Sequence, residues 1–142
     1  MRVVLDTAAM VAAIRSDQGA SRRLLVAGLE RRLALLVSTP LLLEYEAVMT
    51  RPEHLAASGL SETDIGVLLD AVAAVASPVV LAFHWRPMLR DADDDMVLET
   101  AANGQADGVV TFNRRDFLPE AERFGIPVSS PAEAWKRLES SS

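Results

Sequence analysis

Short apolar runs alternate along the chain with longer segments whose apolar residues recur at helical spacing. That alternation predicts strands and helices in turn, and hence an α/β protein with a parallel sheet covered on both faces. Residues 2–5 (RVVL) are a continuous apolar run, which suits a strand buried on both sides. Residues 34–37, 79–82, 108–111 and 127–128 read as further strands. Between them the spacing predicts an alanine-rich helix over 8–14 and a helix from Ser21 with Leu24, Leu25, Gly28 and Leu29 on one face. Another starts at Pro40 and runs to Arg51, before Pro52. Ser61 and Asp64 have the spacing of a capping box opening a helix to Ala76, which Pro78 follows. Residues 91–103 form a helix closed by Asn103 and Gly104, and a last helix covers 131–138.

At 142 residues the expectation is a single domain over 1–139, with the terminal serines at 140–142 as a disordered tail. Half the residues are hydrophobic, enough for a sizeable core. No run is long enough to span a bilayer, no signal-peptide pattern follows Met1, and there are no cysteines. A cytoplasmic protein without a membrane partner is the expectation. The missing cysteines exclude disulfides, thiolate zinc sites and cysteine nucleophiles together. The net charge of −6 is the unfavourable sign for nucleic acid, although a bound divalent cation reverses the sign locally.

Four features carry candidate chemistry. Asp6 stands at the carboxyl end of the first strand, where ligands bind in open α/β sheets, and also where an aspartate caps the next helix. Glu44 shares a helix face with Leu41, Tyr45 and Val48; a carboxylate on an apolar stripe is costly unless paired, hydrogen-bonded or bound to a cation. A small rotation of the helix would instead take it to solvent. Residues 91–95 hold four aspartates, more than a helix cap uses, and a hard cation would offset their repulsion. Finally, Thr111, Asn113 and Asp116 offer oxygen ligands after a strand, with Arg114 and Arg115 beside them suited to phosphate. Singly, each feature is compatible with a cap, a solvated corner or a polar loop. Together they describe an oxygen-rich, hard-cation site of the kind used for metal-assisted phosphodiester hydrolysis.

The same residues resemble the PIN domain, in particular the toxin components of bacterial toxin–antitoxin pairs (VapC-like ribonucleases). The likeness runs through Val3-Val4-Leu5-Asp6-Thr7, Ser21 to Leu25, Val37 to Pro40 with Leu43-Glu44, and Arg90-Asp91 with Asp94 to Leu98. It continues through Ala106-Asp107 to Thr111 and closes on Gly125 to Pro131. The resemblance implies a three-layer α/β/α sandwich and a Mg²⁺- or Mn²⁺-dependent endoribonuclease. It further implies a homodimer silenced by a small antitoxin protein. Asp6, Glu44 and Asp94 match the family's three main acidic positions and would be catalytic, with Asp91 an accessory acid. Asn113 stands at the fourth acidic position, with Asp116 three residues later, and these complete the expected metal ligands. Thr7, Thr111, Arg114 and Arg115 are the expected substrate contacts.

Two departures from the family pattern matter: Ala8 follows Asp6-Thr7 where asparagine is common, and Asn113 replaces an aspartate. They motivate the alternative of a catalytically weakened PIN domain that binds RNA or protein. Two other acidic α/β classes are excluded. A haloacid-dehalogenase-type phosphatase needs an aspartate at Ala8, and a receiver domain needs a lysine after a late strand, whereas Lys136 is the only lysine. His54 and His84 read as isolated, Tyr45 and Trp135 as packing, and Trp85 as core or surface contact.

Overall fold

Val3, Val4 and Leu5 are buried, as a strand flanked on both sides requires, and they build β1 (Arg2–Leu5). The computed structural model describes residues 1–82, 89 and 92–141. The remaining strands are β2 (Ala34–Val37), β3 (Ser77–Pro78), β4 (Gly108–Val110) and β5 (Val128–Ser129). They form one sheet in the order β3-β2-β1-β4-β5, and every neighbouring pair is parallel. Val3 lies opposite Leu35 on one side and Gly108 on the other, so β1 is the middle strand.

The helices fill the crossovers that parallel strands require. They are α1 (Thr7–Arg15), α2 (Ala20–Leu29), α3 (Thr39–Met49), α4 (Pro52–Ser58), α5 (Glu62–Val75), α6 (Ala92–Asn103), α7 (Glu120–Arg123) and α8 (Pro131–Ser141). The capping box of α5 forms with both of its hydrogen bonds, Asp64 N to Ser61 Oγ at 3.1 Å and Ser61 N to Asp64 Oδ2 at 2.9 Å.

Two neighbours on β2 show that the sheet is covered on both faces. A Cβ on Gly28 of α2 would stand 2.4 Å from Leu35 Cδ1, and one on Gly104, at the end of α6, 3.0 Å from Leu36 Cδ1. Successive side chains of a strand point to opposite faces, so α2 and the end of α6 lie on opposite sides of the sheet. The result is a three-layer α/β/α fold. Gly28 is what allows α2 so close to β2.

Three differences from the sequence pattern have physical reasons. The strand expected at 79–82 lies at Ser77–Pro78, paired only with β2; an edge strand needs one ladder, so Pro78 is tolerated there. Val80 is 84 % exposed beyond it. Pro52, which reads as the end of one helix, is also the first residue of α4, which closes on Gly59 at φ 74°. The four residues of α7 are too few to show a period.

The chain passes from β1 outward to β2 and β3, then returns to β4 on the other side. The connection therefore reverses between β1 and β4, and the crevice outside their carboxyl ends is where such sheets take ligands. Among the described residues no helix is long and apolar enough to cross a membrane.

Candidate active site

Asp6 is the first residue beyond β1, and its two carboxylate oxygens do different things. Oδ1 accepts from Ala9 N at 2.8 Å and caps α1; Oδ2 accepts from the Thr111 hydroxyl at 2.5 Å. Its own N–H donates to Val110 O at 3.0 Å, continuing the β1–β4 ladder by one residue. The cap and the crevice thus use the same side chain. Asp6 is only 6 % exposed, and burial raises its pKa above the ordinary 3.8. The hydrogen bonds from Thr111 and Ala9 oppose that rise, and the charge of Asp116 adds to it.

Thr111 is itself fixed twice. Its N–H donates to Ser129 O of β5 at 2.9 Å, and its Oγ1 accepts from Asn113 N at 3.0 Å. Residues 111–113 therefore turn away from the sheet directly over Asp6.

Buried polar contacts bring the two other acidic helices in. Tyr45 is fully enclosed and its hydroxyl donates to Leu5 O at 2.5 Å, tying α3 to the end of β1 one residue before Asp6. Burial, and secondly the charge of Asp6, push that phenol's pKa upward. Glu44, the preceding residue, is half-buried and faces the crevice, while Leu41, Tyr45 and Met49 pack into the core. At the start of α3, the Ser38 and Thr100 hydroxyls meet at 2.8 Å. Thr100 already donates to Met96 O, so Ser38 is the donor, and the contact joins α3 to α6.

The acidic run at the start of α6 divides by orientation. Asp93 and Asp94 line the crevice, whereas Asp95 is buried and accepts from Leu89 N at 2.9 Å. Asp91 lies outside the described residues, as do Arg90, Trp85 and His84.

The result is a cleft of about 370 Å³ between α1, α3, α4, α6 and the loop after β4. Asp6, Thr7, Glu44, Asp94, Thr111, Asn113 and Asp116 all line it, together with Asp93, Arg51, His54 and Phe112. Arg114 and Arg115 do not; Arg114 instead pairs with Glu133 of α8, whose pKa falls to about 2, first through that hydrogen bond and then through Ser130. Four lining residues went unassigned in the sequence. Asp93 was hidden in an acidic run that any register fits. Arg51 caps α4 and His54 lies within it, a helix whose start reads as an end, and no sequence signal separates Phe112 from an ordinary loop aromatic.

The donor set suits a hard divalent cation: five carboxylates, an amide and two hydroxyls line the cleft, and the chain has no thiol. Thr7 Oγ1 is buried in that lining without a hydrogen-bond partner among the described residues, the state of an oxygen that awaits one. Among the described residues no three acidic or imidazole side chains stand close enough to form a ready-made cage. An ion that keeps several of its waters and is held by few carboxylates needs no such cage.

The fold is of the PIN-like α/β/α kind, and residues 2–115 match the family model described as the PIN domain. The chain belongs to the PIN domain family. Members of that family are generally nucleases that use divalent metals. No curated protein matches the chain.

Proposed function

We propose that the protein is a Mg²⁺- or Mn²⁺-dependent endoribonuclease, the toxin of a toxin–antitoxin pair. The observation that supports this reading best is the convergence of Asp6, Glu44, Asp93, Asp94 and Asp116 on one cleft at the β1–β4 switch point. Asp6, Glu44 and Asp94 would hold the cation, with Asn113 and Asp116 as weaker ligands and Asp91 as an accessory acid. When bound, the cation supplies Lewis-acid stabilisation of the phosphoryl oxygens and acidifies water.

The chain's own residues do the positioning. Thr111 orients Asp6 through Oδ2 and keeps one face of its carboxylate fixed. Tyr45 sets the register of α3, and with it Glu44. Thr7 is the substrate contact nearest the acids, since Thr111 is fully buried and its hydroxyl is spent on Asp6, and Arg51 is the guanidinium at the rim of the cleft. Arg114 and Arg115 would meet phosphates only further along a strand, since neither lines the cleft.

A second reading has its own observation. Asn113 brings no charge, and among the described residues no three-acid cage stands ready, which favours a weakened PIN domain that binds RNA or protein without cutting. Incubating the protein with an unstructured RNA and Mn²⁺ separates the two. The nuclease reading expects metal-dependent cleavage that the Asp6→Asn protein lacks; a wild-type protein that binds the RNA but never cuts it supports the binding module.

The toxin role implies two protein partners, a small antitoxin and a second copy of the chain. Helix α1 spends its apolar face inside the fold, burying Ala9, Met10, Val11, Ala13 and Ile14. A surface available for a symmetric dimer among the described residues is the apolar groove between α2 and α5, which includes Val26 and the 64 % exposed Val67. Light scattering at micromolar concentration should report a dimer, and a monomer would remove this part of the reading.

A further inference from the structure

Phe112 is an aromatic cleft residue whose chemistry the metal site does not use. Its ring is 60 % exposed, and it lines the same cleft as Asp6, Asp94 and Asp116. Its backbone is not loose: Thr111 on one side is buried and bonded to Asp6, and the Asn113 N–H on the other is bonded back to Thr111 Oγ1. A large apolar ring is thus held in water, at the lip of an acidic cleft, by a loop whose flanking residues are pinned.

Two kinds of occupant would cover such a ring. A protein partner uses apolar patches of several hundred Å². Phe112 instead shares its cleft with Asp6, Asn113 and Asp116 and does not join the packed core, so what it offers is a ring face in a mainly polar setting. An unpaired nucleobase needs only that face, because every base has a π surface that stacks on an aromatic ring. Charge favours the same occupant. In a chain of net charge −6, the cleft presents five carboxylates against one guanidinium among the described residues, so the chain's own charges contribute little attraction for a strand there beyond what a bound cation supplies. A neutral stacking contact is indifferent to that field.

Resting on the nuclease reading above, we propose that Phe112 is the residue that stacks on an unpaired base beside the phosphate that is cut. A base within a duplex has both faces covered and cannot make this contact.

The test is a double-substitution cycle. Binding of an unstructured RNA oligonucleotide is measured by fluorescence anisotropy with Mg²⁺, in the Asp94→Asn background so that no strand is cut. Phe112 is changed to Ala, Leu and Trp, and the RNA carries a single abasic site at each position around the cut. Phe112→Ala should weaken binding roughly 5- to 150-fold, the equivalent of about 1–3 kcal/mol for one stacked base. Phe112→Leu should do the same, Phe112→Trp should bind as well as phenylalanine, and the salt dependence should not change. At one position the abasic site should cost as much as Phe112→Ala, and the two together no more than either alone.

Additive losses at every position overturn the stacking role, as does a leucine that binds like phenylalanine. Strand binding that ignores Phe112 altogether overturns it too and leaves the ring to a protein partner. These failures are distinct from failure of the underlying reading. In that case the wild-type chain neither binds nor cuts the RNA with Mn²⁺, and both proposals fall together.

Discussion

The segments that follow β1 and β4 lie side by side over the same cleft, yet they are built in opposite ways. After β1, Asp6 is buried and held at both carboxylate oxygens, and Thr7 is half-buried at the start of α1. After β4, Thr111 is buried, but Phe112, Asn113 and Asp116 all stand in solvent. One segment places an acid by enclosing it; the other places a ring, an amide and an acid by pinning the backbone between them. Enclosure fixes a ligand's position and raises the cost of its charge, while exposure leaves the charge cheap and the position adaptable. The nuclease proposed above, which would hold a cation firmly and also admit a bulky strand, would draw on both.

The largest expected effect of breaking this division lies at Asp6. Asp6→Asn keeps a side chain that caps α1 well but removes the charge. Metal-dependent cleavage should fall on the order of 10²–10³-fold in kcat, as when one electrostatic stabiliser is lost. The same enclosure predicts a pH signature. Burial holds the Asp6 carboxyl above 3.8, so the folded chain keeps a proton that the unfolded chain has released. In metal-free protein that contribution to stability is complete below 3.8 and lost as pH rises through the raised value. Saturating Mn²⁺ favours the carboxylate, so the metal-induced rise in Tm should grow with pH. At about 100 times Kd it should reach about 2.7 kcal/mol, or roughly 5–10 °C at neutral pH. A metal effect that is equal at pH 4 and pH 7 would count against Asp6 as a ligand.

Next in size is Thr111→Val, nearly the same shape without the hydroxyl that joins the two segments. Activity or metal affinity should drop about 10–100-fold, the range for partners that orient a metal ligand. Stability should fall by about 1–3 kcal/mol, because Asn113 N loses its acceptor and Asp6 its donor. Asn113→Asp, in the exposed segment, should have a smaller effect of opposite sign, lowering the Mn²⁺ concentration for half-maximal cleavage a few-fold, on the order of 0.5–1 kcal/mol. Smallest of all is Glu133→Gln. It breaks the exposed pair with Arg114 outside the cleft, so cleavage should be unchanged within error. If Thr111→Val proves as mild as Glu133→Gln, the two segments are not coupled as described.

What could be read from the sequence follows the same division. The buried strands announced themselves as apolar runs, because a strand enclosed on both faces has no other way to be written. The carboxyl end of β1 then pointed to Asp6, and the apolar stripe of α3 singled out Glu44 as a misplaced charge. Features on the surface or at an edge had no such signature. Pro78 reads as a breaker unless β3 is known to be an edge strand, and Pro52 reads as a stop unless α4 is known to follow. His54, which reads as isolated, lines the cleft because α4 turns back toward α1, where Arg15 Nη1 lies 3.5 Å from its Nδ1. The exposure of Phe112 depends on where its loop is pinned, and that pinning is a tertiary contact between Thr111 and Asp6.

The central claim is that the acids of this cleft hold a divalent cation for cutting RNA, and Asp94 tests it most directly because it is half-buried and its replacement by asparagine conserves size. Mn²⁺ is titrated against the wild-type and Asp94→Asn proteins with an unstructured RNA, while circular dichroism verifies that both are folded. The wild type should cleave with saturable metal dependence, and Asp94→Asn should be inert at every Mn²⁺ concentration with its fold intact. Equal behaviour of the two proteins, both active or both inert, would contradict the account.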